Sequence, residues 1–387
     1  MSFLTTLTSA FKGGGDAARV PLASGYVSPW ATALGAAQGE ALTAQDAHFD
    51  YPGAARAAYC GNPVAQRAVR IVTEGVGGAP LAIDDPRLAA LVSTSTGTQP
   101  LLEVLAAQLL LHGNAFVQVM KDAGGTPIEL YPLRPDRVRV VAGEHGWPAG
   151  YRYTVGARSV VIAPEDADGW PNLIHLKAYH PLDDHYGAGC LAATGEAVAV
   201  HNAAARWNRA LLDNAARPSG ALVYRNEDSA GLTKEQFERL KDELASAFQG
   251  SGNAGRPMLL EGGLSWQSMA LSPADMDFAS LKSAAARDIA LAFGVPPMLL
   301  GLPGDNTYAN YREANRALWR LTLLPLIARL ADGLLHGLAP WFAGSSMAVD
   351  LDRVPALAED REKLWAQVSA ADFLSDEEKR AMLGIKP

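Results

Sequence analysis

The chain has 387 residues, 49% of them hydrophobic and 19% charged, with a formal net charge of −8. That length suits two or three domains that each bury a core, and two cysteines, Cys60 and Cys190, exclude a disulfide framework or a cysteine-based zinc cluster. The acidic balance excludes a broad grip on nucleic-acid phosphates, and no apolar run reaches the ~20 residues that cross a bilayer, so no membrane partner is expected.

Residues 1–54 are rich in Gly, Ala, Ser and Thr, include Gly13-Gly14-Gly15, hold no period of 2 or 3.6, and read as a mobile arm. They lack the basic-then-apolar pattern of a secretory signal. Asn62-Pro63 is the first helix start, a cap followed by proline at the first helical position. That helix carries Val64, Ala68, Ile71 and Val72 on one face and stops near Gly75. A second follows Pro100, with Leu101, Leu102, Leu105, Leu109 and Leu111, and ends at Gly113. The period then changes to two. Short strands are predicted at 115–120, 128–131, 138–141, 151–155, 160–162 and 173–178, separated by Asp/Gly turns and read as one antiparallel meander.

Residues 191–216 hold no proline and eight alanines after Gly195, which predicts a long helix that another helix can approach closely. A β-α-β-β insert follows. Its strands are 220–225, 257–261 and 264–271, the last two joined at Gly262-Gly263. Its helix starts with Thr233 and Gln236 in a capping-box pattern, flanked by Leu232 and Phe237 as a staple. Ser272, Pro273 and Asp275 begin the next long helix, which runs to Phe293 and stops at Gly294 and Pro296-Pro297. A final helix spans 309–340 and is expected to kink near Pro325. From Asp350 the tail has nine Asp/Glu against six Lys/Arg, with a helical stripe at Leu357, Leu364 and Val368. The fold class is α+β.

Catalytic motifs are absent from the chain: it holds no Gly-Lys dipeptide and hence no P-loop, no Gly-x-Ser-x-Gly, no His-Glu-x-x-His and no CxxC pair. His180, Asp183, Asp184 and His185 form the best polar cluster. They could hold a divalent metal in a hydrolase, but with no third histidine at ligand spacing a polar loop is the favoured reading. Asp275 and Asp277 read as first-turn acids facing the helix dipole, and Cys60 and Cys190 as small buried apolar residues. Arg312, Arg316 and Arg320 recur every four residues, a basic strip that suits a solvated or intersubunit ion-pairing face better than DNA contact.

Taken in order, five stretches resemble the portal proteins of tailed double-stranded DNA phages, in the shorter class typical of lambdoid-type siphoviruses. They are 109–116 with 125–133; His175 with Tyr186-Gly187-Ala188-Gly189; Asn214–Gly220; Leu259–Gly263; and Ala290–Gly301 followed by Asn310-Tyr311. The resemblance covers roughly residues 55–340 and rests on the order of these stretches and the helix-insert-helix layout. It departs from the family at both ends.

The resemblance implies a portal-type subunit: wing 55–188, stem helices 189–216 and 272–297, clip 217–271, tunnel loop 298–308, long kinked helix 309–343 and a reduced crown 344–387. It implies a structural role without enzymatic activity, cofactor or metal. Copies would form a ring, twelve-fold as a rule in the family, at one capsid vertex of a virion or of a phage-like particle such as a gene transfer agent, assembled in the bacterial cytoplasm. The implied partners are the chain itself, the major capsid protein, the terminase large subunit, the head-tail adaptor and double-stranded DNA passing without sequence specificity. Leu302, Pro303, Gly304, Asp305, Asn306 and Thr307 would line the channel, and Lys234, Glu235, Glu238, Arg239 and Asp242 would meet terminase or adaptor. A minor capsid or scaffold protein that forms no ring is the remaining alternative.

Overall fold

The computed structural model describes residues 49–93, 95–96, 99–143, 146–213, 220–224, 233–236, 238–239, 242, 264–268, 278–302 and 307–384. It combines helices with antiparallel sheet, as the α+β reading expects. The expected arm lies outside the described residues up to 48, but its proposed end at 54 is too late. Tyr51–Ala55 is already helical (α1) and continues as a π-turn over Arg56–Cys60, started by Asp50, whose carboxylate accepts the Gly53 N–H.

Helix α2 (Pro63–Gly77) begins as its sequence dictates: the Asn62 side chain accepts the amides of Val64 and Ala65, each at 3.0 Å. A three-residue strand, β1 (Leu81–Ile83), and helix α3 (Pro86–Ser93) follow, both too short for a periodicity window to register. Helix α4 (Leu101–His112) ends at Gly113, whose left-handed φ of 83° suits a residue without a side chain.

Six strands follow: β2 (Asn114–Lys121), β3 (Pro127–Leu133), β4 (Val138–Ala142), β5 (Pro148–Val155), β6 (Arg158–Ile162) and β7 (Leu173–Lys177). They do not form the single meander expected. Two three-stranded sheets result, β3-β2-β7 and β4-β5-β6, because β7 returns to pair with β2 in the register Ala115↔Leu176. The physical reason lies in β2, which is buried on both faces. Ala115, Val117 and Val119 join the helical core, while Phe116 turns the other way into a second core with Val138, Val140 and Tyr151 of the outer sheet.

Helix α5 (Cys190–Asp213) packs on α6 (Phe278–Ala292). Between them β8 (Gly220–Tyr224) pairs with β9 (Leu264–Ser268), Leu222 opposite Trp266. The hairpin at Gly262-Gly263 and the start signals Ser272, Pro273, Asp275 and Asp277 lie outside the described residues.

The last long helix, Tyr308–Leu338, is α7 (Tyr308–Leu318), a π-turn over Trp319–Leu323 and α8 (Leu324–Leu338). The expected kink thus takes the form of a wide turn just before Pro325, which has no N–H for the Leu321 carbonyl and would press its ring against it. By length and composition alone this helix could cross a bilayer. It carries Arg320, Arg329 and Asp332, however, and buries Ile327, Leu330, Ala331, Leu334 and Leu338 in the core with β7. At Gly337 a Cβ would stand 2.6 Å from Ile174, so this close approach needs glycine. The tail returns as β10 (Met347–Val349) on β1, then α9 (Ala358–Ser369) and α10 (Asp376–Leu383), the last with a full capping box at Ser375 and Glu378.

Candidate functional surfaces

Stretches far apart in the sequence meet at one node where α4, β2, β7 and the start of α5 converge. The Asn114 carboxamide serves as its hub. Its oxygen accepts the Gly187 N–H at 2.7 Å and the His175 Nε2–H at 3.0 Å, and its nitrogen donates to the Gly187 carbonyl at 3.1 Å. Backbone lies directly on backbone here: a Cβ on Gly187 would fall 2.2 Å from the Gly113 oxygen and 2.5 Å from the Ala178 nitrogen. His175 stacks on Phe116 with ring centroids 4.2 Å apart, and burial, reinforced by Lys177, His112 and His185, lowers its pKa to about 3. Tyr186 accepts the Val140 N–H at 2.8 Å and so ties the outer sheet to the same node. The node fixes the direction in which α5 leaves the body.

The segment between α6 and α7 is anchored at both ends. Thr322, in the π-turn, donates its hydroxyl to the Gly294 carbonyl at 2.6 Å, and Pro297–Leu300 form one 3₁₀ turn. On the far side Thr307 caps α7, its hydroxyl accepting the Asn310 N–H at 3.2 Å. Of the predicted channel residues, Leu302 is half-buried and Thr307 exposed, while Pro303, Gly304, Asp305 and Asn306 lie outside the described residues.

The basic strip on α7 resolves into ion pairs within the chain. Arg316 bridges Glu359 at 2.8 Å, Glu313 at 3.0 Å and Asp360 at 3.4 Å, and Arg312 also pairs with Glu359 at 2.5 Å. Arg312, then Arg316, hold the Glu359 carboxyl below the usual carboxylate range. Two of the three arginines are therefore committed to α9, and Arg320 sits exposed on the π-turn.

In the insert the capping box forms as the spacing predicts: the Gln236 amide donates to the Thr233 hydroxyl at 3.3 Å, and the Thr233 amide to the Gln236 side chain at 2.9 Å. Lys234, Glu235, Glu238, Arg239 and Asp242 are all helical and exposed. The staple partners Leu232 and Phe237 lie outside the described residues.

The 180–185 cluster is occupied with its own turn. Asp183 accepts the amides of His185 and Tyr186 at 2.7 and 2.9 Å, and His180 Nδ1 accepts that of Leu182 at 3.1 Å. His185 is buried, and burial lowers its pKa. Among the described residues no three or more His, Cys, Asp or Glu gather where a metal could sit. Both were expected to be buried: Cys190 is half-buried, with its thiol pKa raised by burial, and Cys60 is exposed. It sits at the end of the π-turn that the sequence reading missed, which rotates it out of the core.

The paired helices α5 and α6 carry a feature the sequence reading passed over. Away from their mutual contact, α6 exposes Leu281 and Leu291, and α5 exposes Ala192, Gly195, Glu196, Ala199 and Ala203. The signal was available: 281, 284, 288 and 291 repeat at the 3.5-residue spacing of a helix seam, on the face that α5 leaves open.

Residues 63–384 match the family model described as phage portal protein. A solved chain from a virion of a native gene transfer agent particle is 49% identical, with TM-score 0.69 over 88% of this chain and 94% of that one. A chain from the neck of a native particle of this kind, computed with C12 symmetry, is 48% identical, with the same TM-score and the same two coverages. A probable portal protein of Streptomyces phage phiC31 is 26% identical over 308 residues, 75% of this chain and 64% of that protein.

Proposed function

The chain belongs to the phage portal protein family, and on that premise we propose that twelve copies close into a ring at one vertex of a phage-like capsid, through which double-stranded DNA enters and leaves. It is a structural capsid subunit and not an enzyme. The observation that carries the ring is the 48% identity to a neck chain arranged with C12 symmetry. A heterologous contact repeated around an axis closes without any self-complementary patch.

In this reading 55–188 form the wing, 189–216 and 272–297 the stem, 217–271 the clip, 298–308 the tunnel loop, 309–343 the long helix and 344–387 a reduced crown. The loop from Leu302 to Thr307 borders the channel. Its fixed ends support the assignment, since the Thr322–Gly294 bond and the Thr307 cap hold it at a set distance from the body. Asp305 is its one charged residue, which suits a wall along which phosphates slide, because dense Lys/Arg would hold them in place. The exposed clip residues Lys234, Glu235, Glu238, Arg239 and Asp242 meet the terminase large subunit during packaging and the head-tail adaptor afterwards. The wing borders the major capsid protein.

Negative-stain images of the purified chain test the ring: annuli with an axial hole are expected, and monodisperse particles without a hole would overturn it. Charge reversal at Glu235, Glu238 and Asp242 should leave the annuli intact while abolishing DNA packaging or tail joining. Wild-type packaging and tail joining would remove the clip assignment.

A further inference from the structure

The outer sheet β4-β5-β6 ends on an open edge. Of its two outer strands, β4 is tied on its far side, where the Val140 N–H donates to the Tyr186 hydroxyl at 2.8 Å. Strand β6 has no such cover. It follows β5 through the two-residue turn Gly156-Ala157, with Val155 opposite Arg158. In a hairpin of this length the closing pair exchanges both ladder bonds, and bonded pairs then alternate with unbonded ones. Val160 and Ile162 therefore bond back to β5, while Ser159 and Val161 turn their N–H and C=O outward. Among the described residues nothing pairs with those outward groups.

Two further observations set the chemistry of what completes the ladder. Val160 and Val161 lie on opposite faces of β6 and are 55% and 57% exposed, a combination that makes an open edge adhesive. The sheet is also basic within an acidic chain: residues 137–162 hold four arginines and no lysine against one acid, Glu144. Arg152 stands directly across from Val161, and Arg158 begins β6. Both are exposed, and neither has an ion pair among the described residues. A strand added to β6 lies roughly 4.8 Å from it and roughly 9.6 Å from β5, close enough for an extended Arg152 to meet its carboxylates.

We propose that the edge of β6 takes up an extended acidic segment of the major capsid protein as a fourth strand of this sheet. The inference rests on the reading above that the wing borders that protein, and goes beyond it by naming the edge and the chemistry. A peptide supplies both donors and acceptors for the outward groups of Ser159 and Val161, whereas the backbone of a DNA duplex offers acceptors alone. The same edge of a second copy does not serve. Like edges meet across a two-fold axis, and neighbours in a ring meet through unlike surfaces. On the incoming strand, apolar side chains flank Val160 and Val161, and carboxylates face Arg158 and Arg152.

Hydrogen exchange tests the contact. Mixing annuli of the full chain with the purified major capsid protein should slow exchange in the segment 158–162 about tenfold relative to annuli alone. Val161→Pro removes one outward N–H and leaves the bonds to β5 in place. It should abolish that protection at Ser159 and the entry of annuli into shells, while annuli still form. In a second arm the ladder is untouched: Arg152→Glu with Arg158→Glu should weaken co-sedimentation of annuli with shells about tenfold. No protection on mixing, or Val161→Pro annuli that enter shells as the wild type does, overturns this edge and leaves the ring standing. Protection already complete in annuli alone, or given equally by a short DNA duplex, overturns it in favour of a neighbouring copy or of nucleic acid. Absence of annuli from the wild-type chain overturns the ring reading itself.

Discussion

The node around Asn114 and the paired helices α5 and α6 use the same small residues to opposite ends. At the node, Gly113 and Gly187 admit backbone of their own chain, every polar atom of the hub carboxamide has a partner, and nothing larger fits. On the helices, Ala192, Gly195, Ala199 and Ala203 stand exposed among the described residues. A small side chain therefore has no fixed meaning in this molecule. Its role follows from whether the close neighbour it permits belongs to the same chain.

This contrast can be broken at its strong end first. Gly187→Ala should cost about 3 kcal/mol or more, because its Cβ meets fixed backbone rather than a flexible side chain; a chemical denaturation midpoint within error of wild type would refute the closed node. Asn114→Ala should cost about 2–3 kcal/mol in the same measurement by leaving the Gly187 N–H and C=O unpaired in the interior. Acid should act more mildly. His175 titrates near 3 when folded and near 6.5 when unfolded, so below pH 6.5 the unfolded chain binds the extra proton. The stability it contributes is complete above pH 6.5 and declines as pH falls toward 3, by about 2 kcal/mol at pH 5 relative to pH 7.5. His175→Gln should flatten that slope in denaturation midpoints collected across the range. At the open end, Leu291→Ser should shift the midpoint of the dissociated chain by no more than about 0.5 kcal/mol. A loss several times larger would mean that α6 is already covered within one copy.

The sequence made α2, α4 and the long helices legible because their caps and stops are chemical: Asn62-Pro63, Pro100 before Leu101, Gly113, and Gly294 with Pro296-Pro297. The Thr233–Gln236 box formed as written. Sheet topology was not legible. Nothing in Leu173–Lys177 says that it will return past four strands to pair with β2, since alternation fixes a strand's faces and leaves its neighbours open. The basic strip was visible on α7, yet its partners Glu359 and Asp360 arrive from a helix more than forty residues away. Cys60 was misread because a π-turn has no sequence signature at that length. Lys234, Glu235, Glu238, Arg239 and Asp242 are helical and exposed, as their pattern expects. The exposed leucines of α6 carry no local mark of their exposure, since caps and stops fix a helix's ends and leave its partners open.

The π-turn at Trp319–Leu323 sets the angular phase of everything before it. One residue of an α-helix accounts for about 100° of rotation, so the widened turn lets α8 keep its leucines on the sheet while α7 aims Arg312 and Arg316 at α9. Removing a single residue there would restore regular winding and swing both guanidiniums a quarter-turn off Glu359, with the anchorage of the 302–307 segment turning with them. The helix thus behaves as a keyed shaft: its two ends are clocked to different partners, and the key is five residues long.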